Sequence, residues 1–185
     1  MVKINTCVFI SGKGSNLKTL IKNSRDYNFP IKITLVISNK KNAAGLTFAK
    51  KFSIPLKTIN LKDNLSEIML LNIIKKKKIT LICLAGYMKI LSKDFIKKFR
   101  GKIINIHPSL LPKYKGVNTF TRIIKNKEKM SGCTVHHVND KLDSGNIILK
   151  KSFSINDKDD ELSIKRKTQK MEYKAFSEAI VKLYR

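Results

Sequence analysis

The chain alternates between short runs that are apolar at nearly every position and longer stretches where apolar residues recur every three or four. The runs KINTCVFIS (3–11), IKITLVIS (31–38), ITLICLA (79–85) and KIINIH (102–107) predict strands, with a shorter one at PLKTI (55–59). Between them, SNLKTLIKNS (15–24) sets Leu17, Leu20 and Ile21 on one stripe of a helix. Helical periods continue in 44–52, 66–78 and 92–99, the last with Ser92 as its cap. Strands without polar alternation, separated by helices, predict a mostly parallel twisted sheet covered by helices on both faces. The last third breaks this rhythm. Residues 131–140 and 145–155 read as antiparallel strands joined through KLDSG, and 160–184 as one C-terminal helix. The expected fold class is α/β and Rossmann-like, in a single domain over 1–185, with residues 1–108 as its nucleotide-binding-type half.

Composition supports a packed globule, with 42% apolar residues and only four prolines and eight glycines in 185 positions. The apolar run at the start is interrupted too early for a signal peptide. The longest apolar stretch, 79–91, falls short of the roughly 20 residues that span a bilayer. A soluble, cytoplasmic protein with no membrane partner is expected. Cys7, Cys83 and Cys133 lie far apart, without CxxC spacing, which suggests reduced, buried thiols and no metal set. Against 13 acidic residues stand 39 Lys and Arg, a net charge of +26. The lysines are scattered, apart from Lys75 to Lys78, and are not interleaved with aromatics that could stack bases. A solvated lysine surface that favours anionic ligands accounts for this better than specific nucleic-acid binding. A basic nucleic-acid-binding protein remains the non-enzymatic alternative.

Three places are candidates for chemistry. SGKGSNLKTL, after the first strand, brackets a lysine with two glycines and offers Ser15 and Asn16 as N-caps of the next helix. It is either a phosphate cradle of backbone amides or a tight strand-to-helix turn that binds nothing; it matches neither the Walker A nor the full GxGxxG pattern. NIHPSLLP ends a strand with Asn105 and His107, two apart and so on one side, before Pro108 and Pro112 stiffen the chain. This pair is either an oxyanion-stabilising and proton-moving site or a hydrogen-bonded structural histidine. DKLDSG carries Asp140 and Asp143, either as ordinary turn residues or as an acid that orients a histidine and relays a proton. His136 and His137, adjacent on a strand, point opposite ways and are poorly placed to chelate one ion, so no metal is expected.

Five motifs, SGKGSNL, LAGYMKILS, NIHPSLLPKYKG, GCTVHHV and LDSGNIIL, stand in this order and at the spacing of a known family. Together they resemble the folate-dependent formyltransferases, in particular those acting on glycinamide ribonucleotide (GAR) in purine biosynthesis. The similarity runs from about residue 3 to the C-terminal helix. It implies transfer of a formyl group from 10-formyltetrahydrofolate, the co-substrate, to the GAR amine, without a metal. It also implies Asn105, His107 and Asp143 as catalytic residues, and Gly14, Ser15, Asn16, Gln169 and Glu172 as GAR contacts. Met88, Lys89, Ile90 and Leu91, with Asn139, Asp140, Lys141 and Leu142, would hold the folate, which makes 109–185 the folate and active-site half. GAR and the folate would be the partners of a monomer or weak homodimer. Phe120 departs from the family, standing where histidine is usual. Two other members of the superfamily, methionyl-tRNA formyltransferase and formyltetrahydrofolate deformylase, share NxHPSLLP and LDxG but fit SGKGSN poorly. Each also normally carries an extra domain, which is not expected here.

Overall fold

The structure is a computed structural model that describes residues 2–61 and 63–184. Five parallel strands come first: β1 (Ile4–Ile10), β2 (Ile31–Ser38), β3 (Leu56–Thr58), β4 (Leu81–Leu84) and β5 (Lys102–His107). Two antiparallel strands, β6 (Met130–His137) and β7 (Ile147–Ser154), extend the same sheet beyond β5. The order across its seven strands is β3-β2-β1-β4-β5-β6-β7. This is the mixed α/β sheet that the apolar pattern predicts.

Continuous apolar runs form the central strands because both faces are buried. On β1, Val8 and Ile10 enter one core while Cys7 and Phe9 enter the other. The first core is closed by α1 (Ser15–Ser24), α2 (Leu46–Lys51) and the long C-terminal α6 (Glu161–Tyr184), which contributes Ala175, Phe176, Ala179 and Ile180. The second is closed by α3 (Asn64–Lys76) through Leu70 and Ile74, and by α4 (Lys93–Lys98) through Phe95. Ser92 caps α4 as its position suggests, its hydroxyl accepting from the Phe95 N–H at 3.0 Å. All three cysteines are buried and free. Among the described residues, no helix is long and apolar enough to cross a membrane.

Two local features differ from the sequence reading. A short helix, α5 (Thr119–Lys125), follows the left-handed Asn118. Its sequence TFTRIIK is rich in β-branched residues and carries no helical signature; burial of Thr119 and Ile123, four apart, holds it. At α1 the cap is Gly14, with no side-chain cap bond, and not Ser15 or Asn16. The carbonyl of Gly14 already accepts the first helical N–H, from Lys18 at 2.9 Å, so Ser15 and Asn16 are the first helical residues and their side chains are released for other contacts.

The strand order reverses between β1 and β4, each of which leads away to a different side of the sheet. In open α/β sheets the crevice beyond the carboxyl ends at such a point receives ligands. The turn after β1, the loop after β4 and the end of β5 all lie at that edge.

Candidate active site

Strand β5 buries Ile104 and Ile106 in the α6-side core, and Ile103 in the other. Its alternation therefore sends Asn105 and His107 to the same side as Ile103, into a cavity of about 570 Å³. The antiparallel register with β6 sets His136 directly opposite Asn105. Asp143, in the loop between β6 and β7 and at φ +46°, returns over these residues. Its Oδ2 lies 3.3 Å from His107 Nδ1, and its Oδ1 lies 3.5 Å from Asn105 Nδ2 and 3.6 Å from His136 Nε2. The three residues singled out from sequence meet, and His136 joins them as a fourth. Only the strand register could have found it, because the strand pattern alone had marked the His136 and His137 pair as poorly placed for a metal.

Hydrogen bonds fix the tautomers. A carbonyl can only accept, so His107 Nε2 donates to Tyr114 O at 2.9 Å and His136 Nδ1 donates to His137 O at 2.8 Å. His136 Nε2 is then free to accept from Asn105 Nδ2 at 3.2 Å. His107 Nδ1 faces the carboxylate across 3.3 Å, a gap that becomes a hydrogen bond only when it holds a proton. Burial holds the His107 imidazole below its ordinary range, opposed by the Tyr114 carbonyl and the Asp143 carboxylate. For Asp143, burial pushes the carboxyl up. That is outweighed by the neighbouring His136 ring, by the Gly116 N–H, which donates to Oδ2 at 2.9 Å, and by the His107 ring. Asp143 is therefore held as the anion. Among the described residues, no group of three His, Cys, Asp or Glu side chains is arranged to hold a metal ion.

The turn after β1 needs its glycine for a reason remote in sequence. Gly14 is left-handed at φ +71°, and a Cβ built there would stand 2.5 Å from Gly45 Cα at the start of α2. The first amides of α1 open from this turn without helical partners, at the positive end of the helix dipole. Beside them, Ser15 Oγ accepts from Gln169 Nε2 at 2.9 Å, and Asn16 Nδ2 donates to Glu172 Oε2 at 2.9 Å. All five residues expected to contact GAR are thus gathered where α1 meets α6. Burial pushes the Glu172 carboxyl up, partly offset by Asn16, and Asn16 Oδ1 is buried without a protein partner.

The eight residues expected to hold the folate all line the large cavity, together with Asn105, His107 and Asp143. Met88 and Ile90 are 71% and 78% exposed there, and Leu142 54%. Lys93 reaches Asp140 at 3.8 Å. Phe120 lines the same cavity. Sequence reasoning missed Ser11, which is buried where the loops meet: its hydroxyl donates to Asn39 Oδ1 at 2.6 Å and accepts from the Met88 N–H at 2.7 Å. It also missed Tyr114 and Gly116, whose contributions are backbone groups and leave no side-chain signal.

Residues 4–180 match the formyl transferase family. The chain belongs to that family. Among formyl transferase relatives, it is 41% identical over 174 residues to the phosphoribosylglycinamide formyltransferase of Haemophilus influenzae, covering 91% of this chain and 82% of that protein. It is 42% identical over 182 residues to the trifunctional purine biosynthetic protein adenosine-3 of Drosophila melanogaster, where it spans 95% of its own length and 14% of the relative's. The crystal structure of phosphoribosylglycinamide formyltransferase from Brucella melitensis superposes with a TM-score of 0.92 at 35% identity, covering 98% of this chain and 96% of that one.

Proposed function

We propose that this formyl transferase transfers the formyl group of 10-formyltetrahydrofolate to the amine of GAR, with 1–185 acting as one catalytic unit. The observation that carries the reading is the meeting of Asn105, His107 and Asp143 in one cavity, at the same sheet edge as the Gly14–Asn16 turn. The cavity fits a folate: Met88, Ile90 and Leu142 offer apolar walls to a flat ring, and Lys89 and Lys141 suit an acidic tail. When bound, the folate supplies the formyl group.

The chain's own residues would then act as follows. The Gly14–Asn16 amides hold the ribonucleotide phosphate, while Gln169 and Glu172 fix the side chains beside it. Asn105 Nδ2 donates to the negative charge that develops on the formyl oxygen as the amine adds. His107 donates to the same oxygen through Nδ1, which carries a proton only in the imidazolium because Nε2–H is committed to Tyr114. At 3.3 Å its contact with Asp143 is long for a charged pair, so the Nδ1–H, fixed in the ring plane, can be shared with an oxyanion that arrives beside the carboxylate. That new negative charge favours the imidazolium against burial. Asp143 orients His107 and helps to move the proton from the amine to the departing nitrogen. One such oxyanion donor supplies on the order of 3 kcal/mol of transition-state stabilisation. The enzyme would work in the cytoplasm as a monomer or weak homodimer.

The test is direct. Purified protein with GAR and a 10-formyl folate should give the deformylated folate, followed by absorbance, and formyl-GAR. Turnover with initiator methionyl-tRNA but not with GAR would overturn the assignment.

A further inference from the structure

The turn 113–116 touches both members of the His107–Asp143 pair. Tyr114 O accepts from His107 Nε2 and the Gly116 N–H donates to Asp143 Oδ2, each at 2.9 Å. Both residues are left-handed, Tyr114 at φ +59° and Gly116 at +78°. A tyrosine held there is strained by about 1 kcal/mol and needs its surroundings to keep it. Close packing does not supply them. Lys113 and Tyr114 line a second cavity of about 270 Å³, while Gly116 lines the large one.

Polar contacts hold the turn instead. Tyr114 Oη donates to Glu128 Oε1 at 2.7 Å and accepts from Asn126 Nδ2 at 2.9 Å. Lys113 Nζ donates to the same Glu128 oxygen at 2.9 Å. Arg122 donates to Lys115 O at 2.7 Å, with its guanidinium 5.3 Å from the centre of the Tyr114 ring. These anchors come from α5 and the residues just after it; Asn126 and Glu128 bond the turn and not His107 or Asp143.

On the reading that His107 acts as an imidazolium donor, we propose that Glu128, with Asn126, is a positioning residue: it clamps the Tyr114 hydroxyl and so holds the Tyr114 carbonyl on His107 Nε2. The clamp selects the ring's tautomer and stabilises its charged form. The charged and titratable groups facing His107 are Asp143 from the β6–β7 loop, His136 from β6 and Arg122 from α5. Removing the Tyr114 hydroxyl alters none of them.

The decisive variant is therefore Tyr114→Phe, with Glu128→Gln and Asn126→Ala beside it. NMR of labelled histidine rings, assigned through His107→Asn, reads the titration of His107 in the folded protein without substrate. The expected result is a lower titration midpoint, with the neutral ring moving from the Nε2–H toward the Nδ1–H form. In parallel kcat should fall about fivefold, the scale of one lost hydrogen bond, with both Michaelis constants within about a factor of two. If Tyr114→Phe does not fold, Asn126→Ala makes the same test. An unchanged midpoint and tautomer in a folded clamp variant would overturn the proposal. Failure of the wild-type protein to formylate GAR would instead refute the assigned reaction, and the ring titration would still decide the clamp.

Discussion

Replacing Gly14 by alanine would put a methyl where another backbone already lies. Its Cβ would stand 2.5 Å from Gly45 Cα, about 1 Å inside an ordinary carbon contact. The atoms it meets there are the backbone of Gly45, so no flexible side chain can turn aside. A left-handed alanine costs roughly 1–2 kcal/mol, and separating the two segments adds about 1–3 kcal/mol, as overpacking does. The expected destabilisation, about 2–5 kcal/mol, is a large share of a typical total of roughly 5–15 kcal/mol. Because Gly14 caps α1, the same displacement moves the amides of Ser15 and Asn16. The Michaelis constant for GAR should therefore rise about tenfold or more, as ångström-scale misplacement does, while that for the folate stays within about twofold. Urea unfolding and initial rates read the two effects. Gly12→Ala is the control for stability, since an added Cβ there meets no heavy atom within 4 Å. If Gly14→Ala is as stable as Gly12→Ala and keeps its Michaelis constant for GAR, the steric argument and the phosphate role of the turn both fall.

Three further outcomes are expected. His107→Ala and Asp143→Ala should each lower turnover by about two orders of magnitude or more while circular dichroism stays native; near-normal rates would remove the mechanism. Replacing Ser15 and Asn16 together by alanine should raise the Michaelis constant for GAR, and an unchanged constant would count against the site. Burial holds His107 and His137 below their ordinary value of 6.5, so the unfolded chain binds more protons than the folded one between those values. Stability is then complete above about pH 6.5 and is lost as pH falls through the folded values. Asp143, depressed from 3.8, adds a loss at lower pH still, with the same sign. The urea midpoint should fall from pH 8 to pH 5 and flatten in a His107→Gln, His137→Gln double variant; a flat wild-type profile would contradict this.

The strands were legible because β1, β2, β4 and β5 are buried on both faces and must be apolar at nearly every position. The same-side placement of Asn105 and His107 followed from strand alternation alone. Other features depend on chain segments that sequence order keeps apart. Gly14, not Ser15 or Asn16, caps α1, and Gly45 at the start of α2 leaves no room there for a side chain. His136 joins the site through the register of β6 on β5. Helix α5 lies in a β-branched stretch whose local preference runs against it, and tertiary burial decides. Tyr114 and Gly116 act through peptide groups, which no residue type announces.

The pairing of α1 with α6 has a consequence for the order of assembly. Ser15 and Gln169 bond across 154 positions of sequence, and Asn16 and Glu172 across 156. During synthesis β1 and α1 emerge first, and their glycine turn waits for almost the whole chain before its partners exist. Contacts of such separation form late, after the loop entropy between them has been overcome. The parallel sheet can therefore gather while the proposed phosphate turn is still unfinished, and on that proposal docking of the C-terminal helix would be the event that makes a folded chain a binding-competent one.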